Sequence, residues 1–491
     1  MASEPSGTML ELGNNGDNTS SASPTTQIEE DGLLDTKDPD HPRNWSTTAK
    51  VSFCAIVCAA VFGVSFASSI LGPAASIIAH QYHVSEIIMQ LGVSLFVAGF
   101  AAGPLVWGPF AEAFGNRITL IIGVILCGVW QIPLGVANNV PTILVSRFLA
   151  GCFGSSITTV GSGILADLYD PIPRGTILAF AAASINLGSS FAPIVASYLT
   201  IEHSWRWLAW IPLMYFGCLA LVVLLFLRES DPCRILAARQ KRGRQDESSD
   251  DEEHQATYSR SAVRQSHELV IKYLKKPILL FVQEPILIIL TIYMSFVYGL
   301  LYLSYQLFPI AFRTRGWSTP AATLPFISVA IGLFSSVAVI AVFMNTWYKR
   351  KWLERGQVST PEDCLPPMIL GSVVLPPAIF WFGWTLDSHF ISQLLAAGFI
   401  GLGLQLVFTV GVVYIVNVYR AHVVSAFAIH ITVRSLVAST FPIWTQSMYL
   451  GLGFRNMTNV LGAFAALMLP FPLLFFFYGP RIRSWSRYSE G

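Results

Sequence analysis

Two arginines lie where charge is costly. Arg147 opens the stretch SRFLAGCFGSS and Arg434 lies within AIHITVRSLVASTFP, both inside long apolar runs, and an ion at membrane depth costs several kcal/mol unless it is partnered. Two kinds of chemistry fit such a residue. It can cap neighbouring carbonyls or pair with a carboxylate and so lock helices together, or it can act as a gate or coupling residue whose partner changes, biasing a nearby carboxylate toward giving up its proton. Carboxylates are scarce in the apolar runs: Glu86, Glu112 and Asp167 stand at their ends and Asp387 on a turn. A proton carrier would have to come from these edge acids or from a histidine such as His430, which also reads as a packed, hydrogen-bonded core histidine.

A second group is aromatic. In IYMSFVYGLLYLSYQLFP, Tyr298, Tyr302 and Tyr305 follow at steps of four and three, which places them along one helical face. Such a stripe serves helix packing, or it lines a cavity for a flat or cationic organic molecule. Asn186 and Gln405 are polar within apolar runs and are candidates for the same cavity. Gly151, Ser155, Gly161 and Gly163 recur at a spacing that allows close helix approach.

These groups need a membrane-spanning scaffold. Of 491 residues, 53% are hydrophobic and 12% charged, about half the charge of an ordinary globular domain, and the mean hydropathy is +0.56. Thirty basic residues against 29 acidic ones suggest no nucleic-acid surface; the expected partner is the lipid bilayer. Seven scattered cysteines give neither a disulfide framework nor a metal site. No nucleophile with a base, no Gly-rich phosphate loop and no metal spacing is evident, so the expectation is no enzyme, no cofactor and no ATP-driven pump.

Apolar stretches near the length needed to cross a bilayer recur at 51–71, 87–107, 118–138, 142–166, 177–199, 207–227, 286–308, 321–344, 367–386, 391–416, 423–446 and 457–478. The expected organisation is a disordered tail (1–46), a six-helix bundle (47–227), a linker (228–285), a second six-helix bundle (286–480) and a short tail (481–491). The linker holds RQKRGR and then DESSDDEE, with Ser248 and Ser249 among the acids. Basic residues gather on the side of the termini and linker, while the other side keeps Arg206, Arg313, Arg315 and Arg455, so the termini are expected in the cytosol. The sequons at Asn18 and Asn44 would then be silent and Asn456 would face outside as a glycosylation candidate.

The residues resemble a known family. Six plus six spans, a long middle loop and GPFAEAFGNR after the second span resemble the major facilitator superfamily, with Gly108, Glu112, Gly115 and Arg117 at the positions of its loop motif. Asn44 and Trp45, SLFVAGFAAGPLVWGPFAEAFGNR, SRFLAGCFGSS, ADLYDPIPRG, Trp205 to Trp207, SAFAIHITVRSLVASTFPIW and YGPRIRSWS resemble, in that order, its fungal twelve-span drug:proton antiporter branch of multidrug and polyamine exporters. The resemblance implies an all-α fold of two six-helix bundles around a midplane cavity. It implies that Gly108, Glu112, Gly115 and Arg117 latch the bundles on the cytosolic side, that Asp167 and Arg174 belong to the neighbouring charge network, and that Arg147 takes part in proton coupling.

The branch's span-five antiporter motif is altered to GSSFAPIVAS. Gly188 and Pro193 remain; Ser189, Ala192, Ala196 and Ser197 replace a Pro and three Gly, which stiffens the helix. The expected activity is proton-driven export of a small organic molecule (a drug, toxin or secondary metabolite) from a monomer in the plasma membrane. An importer or facilitator is the alternative within transport, and a membrane sensor the alternative outside it. A polyamine would want cavity carboxylates, and none is evident.

Overall fold

The computed structural model describes residues 38, 41–169, 171–230, 234–236, 277–356, 360–419, 423–484 and 486. Most of the tail 1–46, most of the linker 228–285 with Ser248 and Ser249, the sequon at Asn18 and the end of the chain lie outside them.

Leu, Ile, Val, Phe and Ala dominate these segments, as transfer into the hydrocarbon core requires, and the segments are helical because every backbone N–H and C=O there must be satisfied within the segment. The first bundle comprises α1 (Thr47–Ser69), α2 (Glu86–Phe114), α3 (Asn116–Val129), α4 (Val140–Leu168), α5 (Pro171–Glu202) and α6 (Trp207–Phe226). The second begins with α7 (Pro285–Thr314), α8 (Phe326–Phe343), α9 (Pro366–Trp384) and α10 (Phe390–Val418). Among the described residues eleven helical runs are long and apolar enough to cross a bilayer, the last being the 59 residues Ser425–Arg483. At 1.5 Å per residue that run would be roughly three bilayer cores long. It folds back at Gly453, whose φ of 74° only glycine adopts at little cost. The limbs 423–452 and 454–483 are α11 and α12, and the twelve expected spans are recovered.

Several helices outrun their apolar stretches. The fifth span, expected at 177–199, occupies Pro171–Glu202, because a helix continues into the interface until a cap or breaker stops it. The start of α1, the end of α6, the start of α7 and the end of α12 fall on one face of the bundle, called here the terminal face. Along the seams between the bundles α2 packs against α11, and α5 against α8 and α10. Thr432 donates to the Ala101 carbonyl across the first seam, at 2.9 Å.

Two glycines show how closely the helices approach. A Cβ on Gly188 of α5 would collide with the Phe62 carbonyl of α1, and one on Gly151 of α4 with the Phe96 carbonyl of α2. The small residues of the fourth span therefore serve packing, although Gly163 faces open space.

Candidate functional site

Arg147 is fully buried and belongs to the first bundle. Its Nη1 donates to the Ala67 carbonyl at 2.5 Å, Nη2 to the Ser68 carbonyl, and Nε to the Gly92 carbonyl at 2.9 Å. Ala67 and Ser68 lie in the last turn of α1, whose carbonyls have no helical donor and carry the negative end of the helix dipole. The guanidinium also lies 4.5 Å from the Phe96 ring centroid. Among the described residues no carboxylate reaches it. Of the two kinds of chemistry read from the sequence, the geometry displays carbonyl capping, joining α1, α2 and α4.

Ser68 extends this junction across the molecule, its Oγ lying 3.2 Å from the Tyr302 hydroxyl of α7. The expected tyrosine face exists and looks at the first bundle. Tyr302 contacts Tyr298 and Tyr305 edge to face, with centroids 5.2 and 5.6 Å apart, and the Tyr298 and Tyr302 hydroxyls are 3.4 Å apart. Tyr298 stacks on Phe408 of α10 at 5.7 Å. A second clasp lies nearby: Asn186 of α5 donates to the Gln405 side-chain oxygen of α10, and Gln405 donates to Thr409 at 2.9 Å. Both amides are buried, so the pair joins the bundles at depth.

These residues form a septum between two cavities. The larger, about 240 Å³, opens on the face away from the termini; Tyr302, Tyr305, Ser69, Gln90, Gln306 and Glu86 are among its walls. Gln306 donates to the Gln90 side chain and to the Pro442 carbonyl, each at 3.1 Å, and Gln446 approaches Glu86 at 3.4 Å. These glutamines bridge the bundles; only their polarity beside apolar runs signalled them in the sequence. The smaller cavity, about 70 Å³, lies toward the terminal face and is lined by Val57, Ile185, Phe408, Thr409 and Arg434, among others.

Arg434 differs from Arg147. It is 8% exposed, lies 4.5 Å from the Tyr298 ring centroid and 4.8 Å from that of Phe408, and its Nε is buried without a hydrogen bond. His430, one turn away, is fully buried and paired through Nδ1 with the Thr291 hydroxyl at 3.1 Å.

The altered motif in α5 has a structural account. Pro193 lacks the N–H that would reach the Ser189 carbonyl, and Ser69 Oγ lies 3.1 Å from that oxygen. Ser189 Oγ in turn donates to the Ser65 carbonyl at 3.2 Å. Serine hydroxyls thus tie α5 to α1 around one proline, and α5 runs on as one helix.

At the terminal face Gly115 adopts φ 93° and precedes α3. The Glu229 carboxylate, just beyond α6, accepts from the backbone N–H of Asn116 at 3.1 Å and of Arg117 at 3.2 Å, so an anion sits on the positive end of α3. Glu229 was hidden in the sequence at the start of the expected linker. Gly108 is buried in α2. Arg117 Nε is buried with no hydrogen bond among the described residues, and Arg174 Nε donates to the Tyr169 carbonyl at 3.2 Å. The side chains of Glu112 and Asp167 lie outside the described set.

The second bundle carries its own acids there. Arg483 of α12 grips Glu362 through two bonds, at 2.8 and 3.2 Å, with both side chains nearly buried. Asp363 binds Arg355 and Thr360. Buried Glu284 accepts from Tyr419 at 3.1 Å and Ser486 at 2.5 Å. Burial first, and the Glu284 charge second, raise the Tyr419 phenol well above its ordinary pKa, so it remains a donor. On the opposite face Asp387 pairs with Arg455, and Asn456 is exposed with its amide donating to the Leu452 carbonyl at 3.1 Å.

The profile of the Major Facilitator Superfamily matches residues 57–442. The MFS-type transporter traF of Penicillium crustosum is 36% identical over 457 residues, covering 92% of either chain. The citrinin biosynthesis cluster MFS transporter mrr1 of Monascus ruber is 36% identical over 504 residues, covering 100% of this chain and 98% of its own. A multidrug transporter of Candida glabrata is 32% identical, with 92% of this chain and 78% of its own covered. Among solved structures the proton:xylose symporter XylE shares the fold with a TM-score of 0.65 at 16% identity, over 88% of this chain and 97% of that one.

Proposed function

This chain belongs to the Major Facilitator Superfamily, a multi-pass secondary transporter in a membrane, and from that premise we propose that it exports a small organic compound in exchange for protons. The observation that carries the reading is the septum of Tyr298, Tyr302 and Phe408 between two cavities on the seam of the bundles. Bundles held at depth by side-chain bonds, Ser68 to Tyr302 and Asn186 to Gln405, part and rejoin at little cost compared with breaking a helix. Alternating access then consists of opening one cavity while the septum seals the other.

Export is supported by relatives named for a citrinin biosynthesis cluster and for multidrug transport. The basic terminal face supports cytosolic termini in a plasma-membrane protein. Glu86 is the carboxylate among the walls of the larger cavity and is the group we assign to carry the proton, without a cofactor. The protein acts as a monomer and binds no nucleic acid.

Uptake into inside-out vesicles, with and without an acid-inside gradient, tests this reading. Gradient-dependent accumulation of one compound from a panel of organic ions and neutral metabolites is the expected result. Equilibration that ignores the gradient would replace it with a facilitator, a reading favoured by the single remaining proline of the α5 motif.

A further inference from the structure

The protein buries two arginines in its membrane core and treats them differently. Each nitrogen-bearing arm of Arg147 meets a carbonyl. Arg434 is 92% buried, yet its Nε is buried without a hydrogen bond and, among the described residues, no carboxylate pairs with it. Tyr298 and Phe408, stacked on each other at 5.7 Å, have ring centroids 4.5 and 4.8 Å from its guanidinium carbon; they stabilise the cation partly but give its N–H edges no acceptor. A buried, unpaired charge is among the costliest features a fold can retain, and among the described residues no helix-locking bond offsets it.

The surroundings indicate what would pair with it. Arg434 lines the smaller cavity, whose other walls include Val57 and Val61 of α1, Ile185 of α5, and Phe427 and Ile431 of α11. The cavity draws on both bundles and so lies on the seam that opens in transport. At about 70 Å³ it is far below the roughly 300 Å³ and more of ligand pockets, as a partly closed site would be. A bare cation edge at the end of an apolar slot matches a monoanion joined to an apolar body.

We propose that Arg434 is the anion-recognition residue of the transport path, and that the substrates are amphipathic organic monoanions, such as carboxylates or phenolates carrying an aromatic or aliphatic body. The charged head docks on the Nε and Nη edge of Arg434, beside the stacked Tyr298 and Phe408 rings, and the body lies against Val57, Val61, Ile185, Phe427 and Ile431. The proposal rests on the transporter reading above and narrows its substrate class.

The test is equilibrium binding to the full-length protein in lipid nanodiscs in chloride-free buffer, with 2-naphthoate and 2-naphthamide as probes, which share a ring system and differ in charge. Naphthoate should bind at least about tenfold more tightly than naphthamide. Arg434→Gln should abolish that preference while leaving the weaker naphthamide affinity in place, and Arg434→Lys should retain part of it. Equal affinities on the native protein, binding of neither probe, or a preference that survives Arg434→Gln would overturn the proposal. So would chloride that binds through Arg434 and leaves naphthoate no advantage, since the site would then hold a halide. The native-protein comparison needs no variant to fold. Because no gradient is applied, the anion site can fail here while vesicle export succeeds, and the reverse.

Discussion

Ser69 Oγ, at the end of α1, lies 3.1 Å from the carbonyl of Ser189 in α5, the oxygen that Pro193 leaves without its helical donor. The same hydroxyl lies 3.2 Å from the Ser65 carbonyl, so its one proton is shared between two acceptors. A proline inside a membrane helix is tolerated because a neighbouring helix re-satisfies the freed carbonyl. Ser69→Ala should therefore destabilise the protein by about 1–2 kcal/mol, read as a lower melting temperature in detergent. Ser69→Thr, which keeps the hydroxyl, should lose less.

Arg147 satisfies three carbonyls from two helices. Arg147→Ala removes all three bonds from a fully buried site and should cost about 3–5 kcal/mol, seen as loss of the monodisperse peak in fluorescence-detected chromatography. Arg147→Lys keeps the charge but reaches fewer acceptors, and should fold with reduced stability. Full gradient-driven transport by a folded Arg147→Gln protein, which lacks the charge, would remove Arg147 from the coupling machinery.

Tyr302→Phe deletes the hydroxyl that meets Ser68 across the bundles while leaving the ring contacts with Tyr298 and Tyr305 intact. The expected loss is about 0.5–1.5 kcal/mol, taken from conformations in which the septum is closed. Labelling of a cysteine introduced in the larger cavity should speed up several-fold in the variant. An unchanged labelling rate would mean that the contact does not hold the septum shut.

Glu229→Gln should weaken the cap on α3 by about 0.5–1 kcal/mol, and Glu229→Ala by about 1–2 kcal/mol, because the carboxylate accepts two orphan backbone N–H groups at the positive end of the helix. Limited proteolysis of the segment after α6 would report the loosening. High salt should reduce the difference between Glu and Gln, since the charge is partly exposed to solvent.

Arg483 and Glu362 form a nearly buried pair with two hydrogen bonds. Either single substitution to alanine should cost about 3–5 kcal/mol by stranding a buried charge. Replacing both with Gln and Leu should recover much of it, and thermal unfolding of the three variants checks the non-additivity.

The sequence by itself determined the number of spans, the two groups of six and the placement of both arginines at depth. Those features follow from local composition: an apolar run near bilayer length must be a helix, and a charge inside it stands out whatever surrounds it. It also determined that Tyr298, Tyr302 and Tyr305 share a face, since helical periodicity depends on nothing distant. Only the tertiary structure decided what those groups meet. Arg147 finds its carbonyl at Ala67, 80 residues away, whereas Arg434 finds aromatic rings and, among the described residues, no acceptor for its Nε; the two arginines look alike in sequence and differ through helix pairing. Glu229 read as the first acid of a linker because its partners are backbone N–H groups more than a hundred residues away, and backbone donors leave no mark on side-chain pattern. The asymmetry is physical: insertion into the bilayer is governed by each segment's own transfer energy, while the site is built from contacts between segments that only packing brings together.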